Sequence, residues 1–166
     1  MKSVLLKILL ILSFLPFSQV WGADFIPAIT NYTVKDYEGG HQNWACAQGD
    51  DGVMYFGNNN GLLVYDGFSW ELHRVPGGYI VRSVFVDGDR VYIGSFEEFG
   101  YFIRKTDGQM QYYSFECWGL KDKISSNDEI WHIVRLGEKI YFQSFYRLVF
   151  VRRKSCQLHG QKKWIP

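Results

Sequence analysis

The sequence predicts an all-β protein, an incomplete β-propeller of about three four-stranded antiparallel blades that follows an N-terminal signal peptide helix. Three segments of similar pattern centre on Tyr55, Tyr92 and Tyr141, at separations of 37 and 49 residues. The composition agrees, because 18% aromatic residues and 17 glycines favour strands joined by tight turns. Repeats of about 40 residues built from short strands are typical of propeller blades.

The first 22 residues have the pattern of a signal peptide. Lys2 and Lys7 give a basic start, residues 8–15 an apolar run, and a region of small residues precedes Ala23, where we expect cleavage. The apolar run is shorter than the roughly 20 residues that a membrane-spanning helix needs. We therefore predict an exported protein.

The partial propeller is predicted over residues 23–151. Residues 23–41 form a lead-in, expected to be extended and to pair with a later blade. The blades follow at about 42–75, 79–115 and 129–151, with a polar insertion at 116–128. The predicted strands are 43–48, 53–57, 62–65, 69–73, 81–86, 90–94, 99–104, 109–115, 129–136, 139–143 and 147–151.

Turn chemistry supports these strands. Asp-Gly and Asn-Gly pairs separate them, and glycine supplies the positive φ that two-residue hairpins need. We also expect a positive φ at Gly57 and Gly94, which follow the repeated tyrosine strand. An apolar residue stands 11 positions before each tyrosine, namely Trp44, Val81 and Ile130.

The last 15 residues, 152–166, break the pattern. They carry five basic and no acidic side chains, whereas residues 23–151 carry 11 basic and 17 acidic ones. They lack strand alternation and the expected fourth strand. We interpret them as a non-propeller tail, produced by a frame change or a truncation, and not as a nucleic-acid-binding patch.

The cysteines indicate neither a disulfide framework nor a metal site. Cys46, Cys117 and Cys156 are an odd number without a close pair. Cys46 is expected to be a small buried residue of an inner strand. Aligned on the tyrosines, Cys46, Ser83 and His132 share one position, but they offer too few ligands for a metal.

Longer motifs carry a family resemblance. The runs are QNWA at 42–45, DGVMYFGNNNGLLVYDG at 51–67, YIGSFEEFGY at 92–101 and NDEIW at 127–131. They resemble the two-component regulator propeller repeat, over about residues 28–151. The resemblance implies the periplasmic sensor of a large membrane-spanning regulator of Bacteroides-type bacteria. Full-length members carry a cytoplasmic histidine kinase or a helix-turn-helix domain, and can form homodimers.

Propellers commonly bind ligands on the face made by the loops between second and third strands and between successive blades. Amides and aromatic rings on this face suit carbohydrates, because rings stack on sugars and amides bond hydroxyls. The sequence predicts an oligosaccharide site, with no cofactor, metal or catalytic residue. Its predicted residues are His41, Gln42, Asn58, Asn59, Tyr79, Phe96, Glu97, Asn127 and Phe145.

Two alternatives remain open. One is a secreted propeller enzyme that acts on polysaccharides, for which adjacent Glu97 and Glu98 would be the acid and base. Neighbouring strand residues point to opposite faces, which argues against that pairing. The other is an inactive gene fragment of poor solubility, because a three-blade stack has uncovered sheet faces.

Overall fold

The structure, a computed structural model, describes residues 27–78, 80–115 and 127–152, together with the backbone of 155–161. The chain divides into two units, Met1–Asn31 and Tyr32–Pro166, and the described helix and strands lie in the second. The predicted signal peptide, Tyr79 and most of the predicted insertion lie outside the described residues. Within those described ranges, no helix is long and apolar enough to cross a membrane.

The described strands form three antiparallel sheets, each with four strands in chain order. Sheet 1 contains β1 (Asn43–Gln48), β2 (Met54–Asn58), β3 (Gly61–Tyr65) and β4 (Trp70–His73). Sheet 2 contains β5 (Val81–Asp87), β6 (Arg90–Ser95), β7 (Phe99–Arg104) and β8 (Met110–Ser114). Sheet 3 contains β9 (Ile130–Leu136), β10 (Lys139–Ser144), β11 (Leu148–Arg152) and β12 (Ser155–Gln161). The predicted all-β, propeller-like fold is confirmed, and every predicted strand end lies within one residue of the observed end.

The tail differs from its predicted description. Residues 152–166 are predicted to lie outside the propeller, yet Arg152 ends β11 and Ser155–Gln161 forms β12, which pairs antiparallel with β11. The physical reason is that sheet pairing joins backbone donors and acceptors, so an unpaired strand edge accepts a segment without side-chain alternation.

The lead-in also differs from its predicted form. It contains a one-turn helix, α1 (Val34–Tyr37), and packs on sheet 1 instead of pairing as a strand. The rings of Tyr32 and Tyr37 lie 5.3 and 5.6 Å from that of Trp70. Leu63, on the face of sheet 1 that points away from sheet 2, is fully buried. Residues 32–41 of the lead-in therefore cover the face where another sheet would pack.

Neighbouring sheets pack through two apolar clusters. Tyr55 of β2 belongs to a cluster with Val81 and Ile93 of sheet 2. Tyr92 of β6 belongs to a second cluster with Phe142 of sheet 3. In sheets 1 and 2 the repeated tyrosine, Tyr55 or Tyr92, therefore points toward the following sheet. The sequence repeat is thus the repeat of a sheet-to-sheet interface.

Two glycines permit this packing. A Cβ atom on Gly57 would lie 2.8 Å from the carbonyl oxygen of Val81, and one on Gly94 would lie 2.6 Å from Cβ of Ile130. Neither glycine has positive φ, in contrast to Gly67 and other turn glycines. The prediction of positive φ after the tyrosine strand was therefore wrong. These residues are glycine because the next inner strand approaches closely.

Candidate ligand-binding face

One residue of each inner strand occupies a β-bulge. The pairing of β1 with β2 shifts between Asn43 and Ala45, so Trp44 is the extra residue. The same shift leaves Arg82 unpaired in β5 and Trp131 unpaired in β9. Bulges redirect a side chain out of the regular alternation. Trp44, Arg82 and Trp131 therefore occupy equivalent positions in the three sheets.

This register corrects the alignment made on the tyrosines. Tyr55 pairs with Ala47 and lies eight residues after it, whereas Tyr92 follows its partner Phe85 by seven. The first hairpin is therefore one residue longer, and Ala45, not Cys46, corresponds to Ser83 and His132. Cys46 is exposed, contrary to the predicted burial.

The three bulge residues stack on one another. The guanidinium carbon of Arg82 lies 3.9 Å from the ring centroid of Trp44 and 5.2 Å from that of Trp131. The two indoles lie 6.0 Å apart at 81°. A cation over an aromatic face is attracted by the ring's quadrupole, typically by about 0.5–2 kcal/mol. Arg82 thus fixes two rings that belong to different sheets.

Glu129 holds Arg82 in place. Its Oε1 accepts hydrogen bonds from Nε and Nη2 of Arg82, at 3.2 and 3.0 Å. The Arg82 side chain is only 13% exposed, which strengthens the ion pair relative to a surface pair. Glu129 therefore fixes the guanidinium between the two indoles.

Phe145 extends the rings toward solvent. It lies 5.5 Å from the Trp131 ring in an edge-on arrangement and is 69% exposed. Trp44 is 36% exposed, and its Nε1 donates to Oδ1 of Asn59 at 2.7 Å. We call Trp44, Arg82, Trp131 and Phe145 the ring cluster. It presents an aromatic surface at the loop end of all three sheets.

Polar atoms beneath the ring cluster lack hydrogen-bond partners. Among the described residues these are Nη1 of Arg82, Nε1 of Trp131 and Oδ2 of Asp128, all buried. Oδ1 of Asp128 instead accepts from the backbone N–H groups of Glu129 and Phe145, at 2.9 and 3.3 Å. Unpaired buried polar atoms are rare in proteins, and these three lie within or next to the ring cluster.

Several predicted site residues lie at the border of the ring cluster. Phe96 forms an isolated bridge with Glu129, and the N–H of Glu97 donates to the carbonyl of Asp128 at 2.8 Å. The N–H of Asn127 donates to Oε1 of Glu97. Glu97 and Asn127 both have positive φ. These contacts join the β6–β7 turn to the entry of sheet 3, beside Trp131.

The other predicted residues separate into two groups. His41 and Gln42 are exposed at the entry to β1, and the Gln42 carbonyl accepts from the Asn59 N–H at 3.2 Å. Asn58 is fully buried. Its Oδ1 accepts a hydrogen bond from the Gly40 N–H at 2.6 Å, and its Nδ2 donates one to the Gly40 carbonyl at 2.8 Å. Asn58 is thus occupied within the fold, while Asn59 reaches the ring cluster.

The two adjacent glutamates do not form a pair. Glu98 is buried, and its Oε1 accepts from the hydroxyls of Tyr112 and Ser114 at 2.7 Å each. Glu97 Oε1 binds the Asn127 N–H instead. The geometry gives no acid and base flanking one bond. In the described part of the chain, no group of three His, Cys, Asp or Glu side chains could hold a metal ion.

Sequence reasoning missed the centre of this face. Trp44 and Trp131 belong to the NWA and EIW motifs, but aligning on the tyrosines places Trp44 opposite Val81 and so conceals Arg82. The lengths of the loops could have revealed the offset between the first hairpin and the others. The β1–β2 connection spans residues 49–53, whereas the β5–β6 connection is only 88–89.

Solved structures with a similar fold share this architecture. The extracellular domain of BT4673 from B. thetaiotaomicron, described as a hybrid two-component system, matches with a TM-score of 0.57 and 18% identity over 75% of this chain. A second structure of that domain, described as a one-component system, matches with a TM-score of 0.58 and 18% identity over 72% of this chain. Each match covers 16% of the longer chain. No protein-family model and no curated protein matches the sequence.

Proposed function

We propose that this chain belongs to the periplasmic sensor propeller of a membrane-spanning signalling protein and binds an oligosaccharide on the ring cluster. The fold it shares with the extracellular domain of a two-component system supports the sensing role. A signal peptide at residues 1–22 and a signalling domain outside this chain are part of the proposal, as is the homodimer implied by the family resemblance.

The observation that carries the proposal is the ring cluster itself. Sugars present apolar C–H faces and peripheral hydroxyls, so their sites combine exposed rings with uncharged hydrogen-bonding groups. Here Trp44 and Phe145 expose their rings. Gln42 and Asn127 are exposed amides at the same end of the sheets. Arg82 and Glu129 fix the rings before a ligand arrives, which lowers the entropic cost of binding.

The test is a titration of the purified chain with a panel of neutral and acidic oligosaccharides, in which tryptophan fluorescence measures binding. Two of the six tryptophans, Trp44 and Trp131, lie on the proposed surface. Phe145→Ala is expected to weaken the affinity about three- to tenfold, since one aromatic contact contributes about 0.5–1.5 kcal/mol. Phe68→Ala is the matched control, because Phe68 is 97% exposed but lies in the β3–β4 turn at the other end of sheet 1.

Two results would count against the proposal. One is the absence of a saturable fluorescence change with every saccharide in the panel. The other is an equal loss of affinity in Phe145→Ala and Phe68→Ala, which would place binding elsewhere.

A further inference from the structure

We infer that the saccharide recognised by the ring cluster is uncharged, and that uronic acids and sulfated sugars are disfavoured. This inference rests on the proposed function, because it names the chemical class of ligand for the same surface. It follows from the charges at the face and from how each charge is already used.

The cation in contact with the rings cannot serve an anionic ligand. Nε and Nη2 of Arg82 donate hydrogen bonds to Glu129, and Nη1 of Arg82 is buried. Recognition of a carboxylate or sulfate by arginine needs an accessible pair of N–H donors. An anionic sugar would have to displace Glu129, which would leave that carboxylate without its partner. The arginine thus holds the tryptophan rings and cannot also act as an anion receptor.

The neighbouring charges add repulsion. Among the described residues beside the ring cluster, the carboxylates are Glu97, Asp128 and Glu129, whereas the cations are Arg82 and Arg147. Arg147 lies in the Phe145 turn, is half-buried and has an interaction of its own. The excess of carboxylates makes the local potential unfavourable for an anion.

The exposed polar groups suit hydroxyls instead. Gln42, Asn43 and Asn127 are exposed around Trp44 and Trp131, and each amide both donates and accepts hydrogen bonds. A sugar hydroxyl does the same. A charged sugar would lose hydration at this surface without gaining a charged partner, which is unfavourable.

The experiment uses ligand pairs that differ only in charge. Oligosaccharides of galacturonate, glucuronate and mannuronate are compared with their carboxyl-reduced forms of equal length and linkage, and neutral oligosaccharides complete the panel. Tryptophan fluorescence of the purified chain measures each affinity at low and at physiological salt. We expect the neutral member to bind at least about fivefold more tightly at low salt, with a smaller difference as salt screens the repulsion.

A single variant tests the electrostatic cause. Glu97→Gln removes one carboxylate but keeps the oxygen that accepts the Asn127 N–H. It should lower the ratio of neutral-ligand affinity to acidic-ligand affinity, measured for the same pairs at low salt. Tighter or equal binding of the acidic members by the unmodified chain would overturn the inference and leave the proposed function standing. Binding of neither class would overturn the proposed function as well.

Discussion

Gly94 makes the sheet-to-sheet packing directly testable. A Cβ atom at this position would lie 2.6 Å from Cβ of Ile130 and would also meet the hydroxyl of Ser83. Ile130 is fully buried in the cluster between sheets 2 and 3, so it cannot rotate away into solvent. Gly94→Ala must therefore move sheet 3 away from sheet 2.

The expected cost follows from overpacking. One methyl forced into a filled core costs about 1–3 kcal/mol. Replacing glycine by alanine also recovers up to about 1 kcal/mol, because the unfolded chain loses freedom. A net destabilisation of about 1–2 kcal/mol should lower the midpoint of thermal unfolding by about 2–8 °C in a domain of this size.

The assay is chemical and thermal unfolding followed by circular dichroism, with Gln143→Ala as the control. Gln143 stands at the same position of β10 as Gly94 in β6, and it is exposed. Its replacement should change stability by less than about 0.5 kcal/mol. Equal stability of Gly94→Ala and Gln143→Ala would refute the close-approach argument.

Two further perturbations address the lead-in and a turn. Asn58→Ala should cost about 2–4 kcal/mol in denaturant unfolding, because it removes the partner of several part-buried backbone groups. Asn59→Ala should cost under about 1 kcal/mol, and similar losses would argue against the inward role of Asn58. Hydrogen bonds from the N–H groups of Ser69 and Phe68 lower the pKa of Asp66. The ionised carboxylate therefore stabilises the β3–β4 turn at pH values above the usual aspartate pKa. This stabilisation is lost as the pH falls through the lowered pKa. The protection factors of these amides against hydrogen exchange, which correct for the intrinsic effect of pH on the rate, should fall in acid. A fall of the same size in Asp66→Asn would contradict this cause.

Local patterns sufficed to predict β1 to β11. Alternation and turn glycines mark each hairpin, and hairpin pairing is local, so strand ends such as those of β1 and β7 followed from the sequence alone. The lead-in did not follow, since its helix is only four residues long and depends on packing against Trp70.

The ring cluster could be predicted only in part. Two of its loop residues, Phe145 within the ring cluster and Asn59 beside it, follow from propeller geometry. The stacking of Arg82 between two tryptophans depends on three bulges. A bulge is one extra residue in one of two paired strands, and an alignment of sequence patterns does not show where that residue lies. Asn58 and Asn59 are adjacent and identical, and only their backbone environment separates an inward from an outward role.

The tyrosine and glycine of β2 and β6 have a consequence for how such chains can change during evolution. Each tyrosine and glycine pair contacts the inner strand of the sheet that follows. Every interface between sheets is therefore formed by residues from two successive sheets. A duplication that copied a sheet with a large residue at the glycine position would place that side chain against the incoming strand. Duplication of a sheet that keeps glycine at this position therefore produces a junction that packs without overcrowding, whereas a larger residue there would destabilise the new junction.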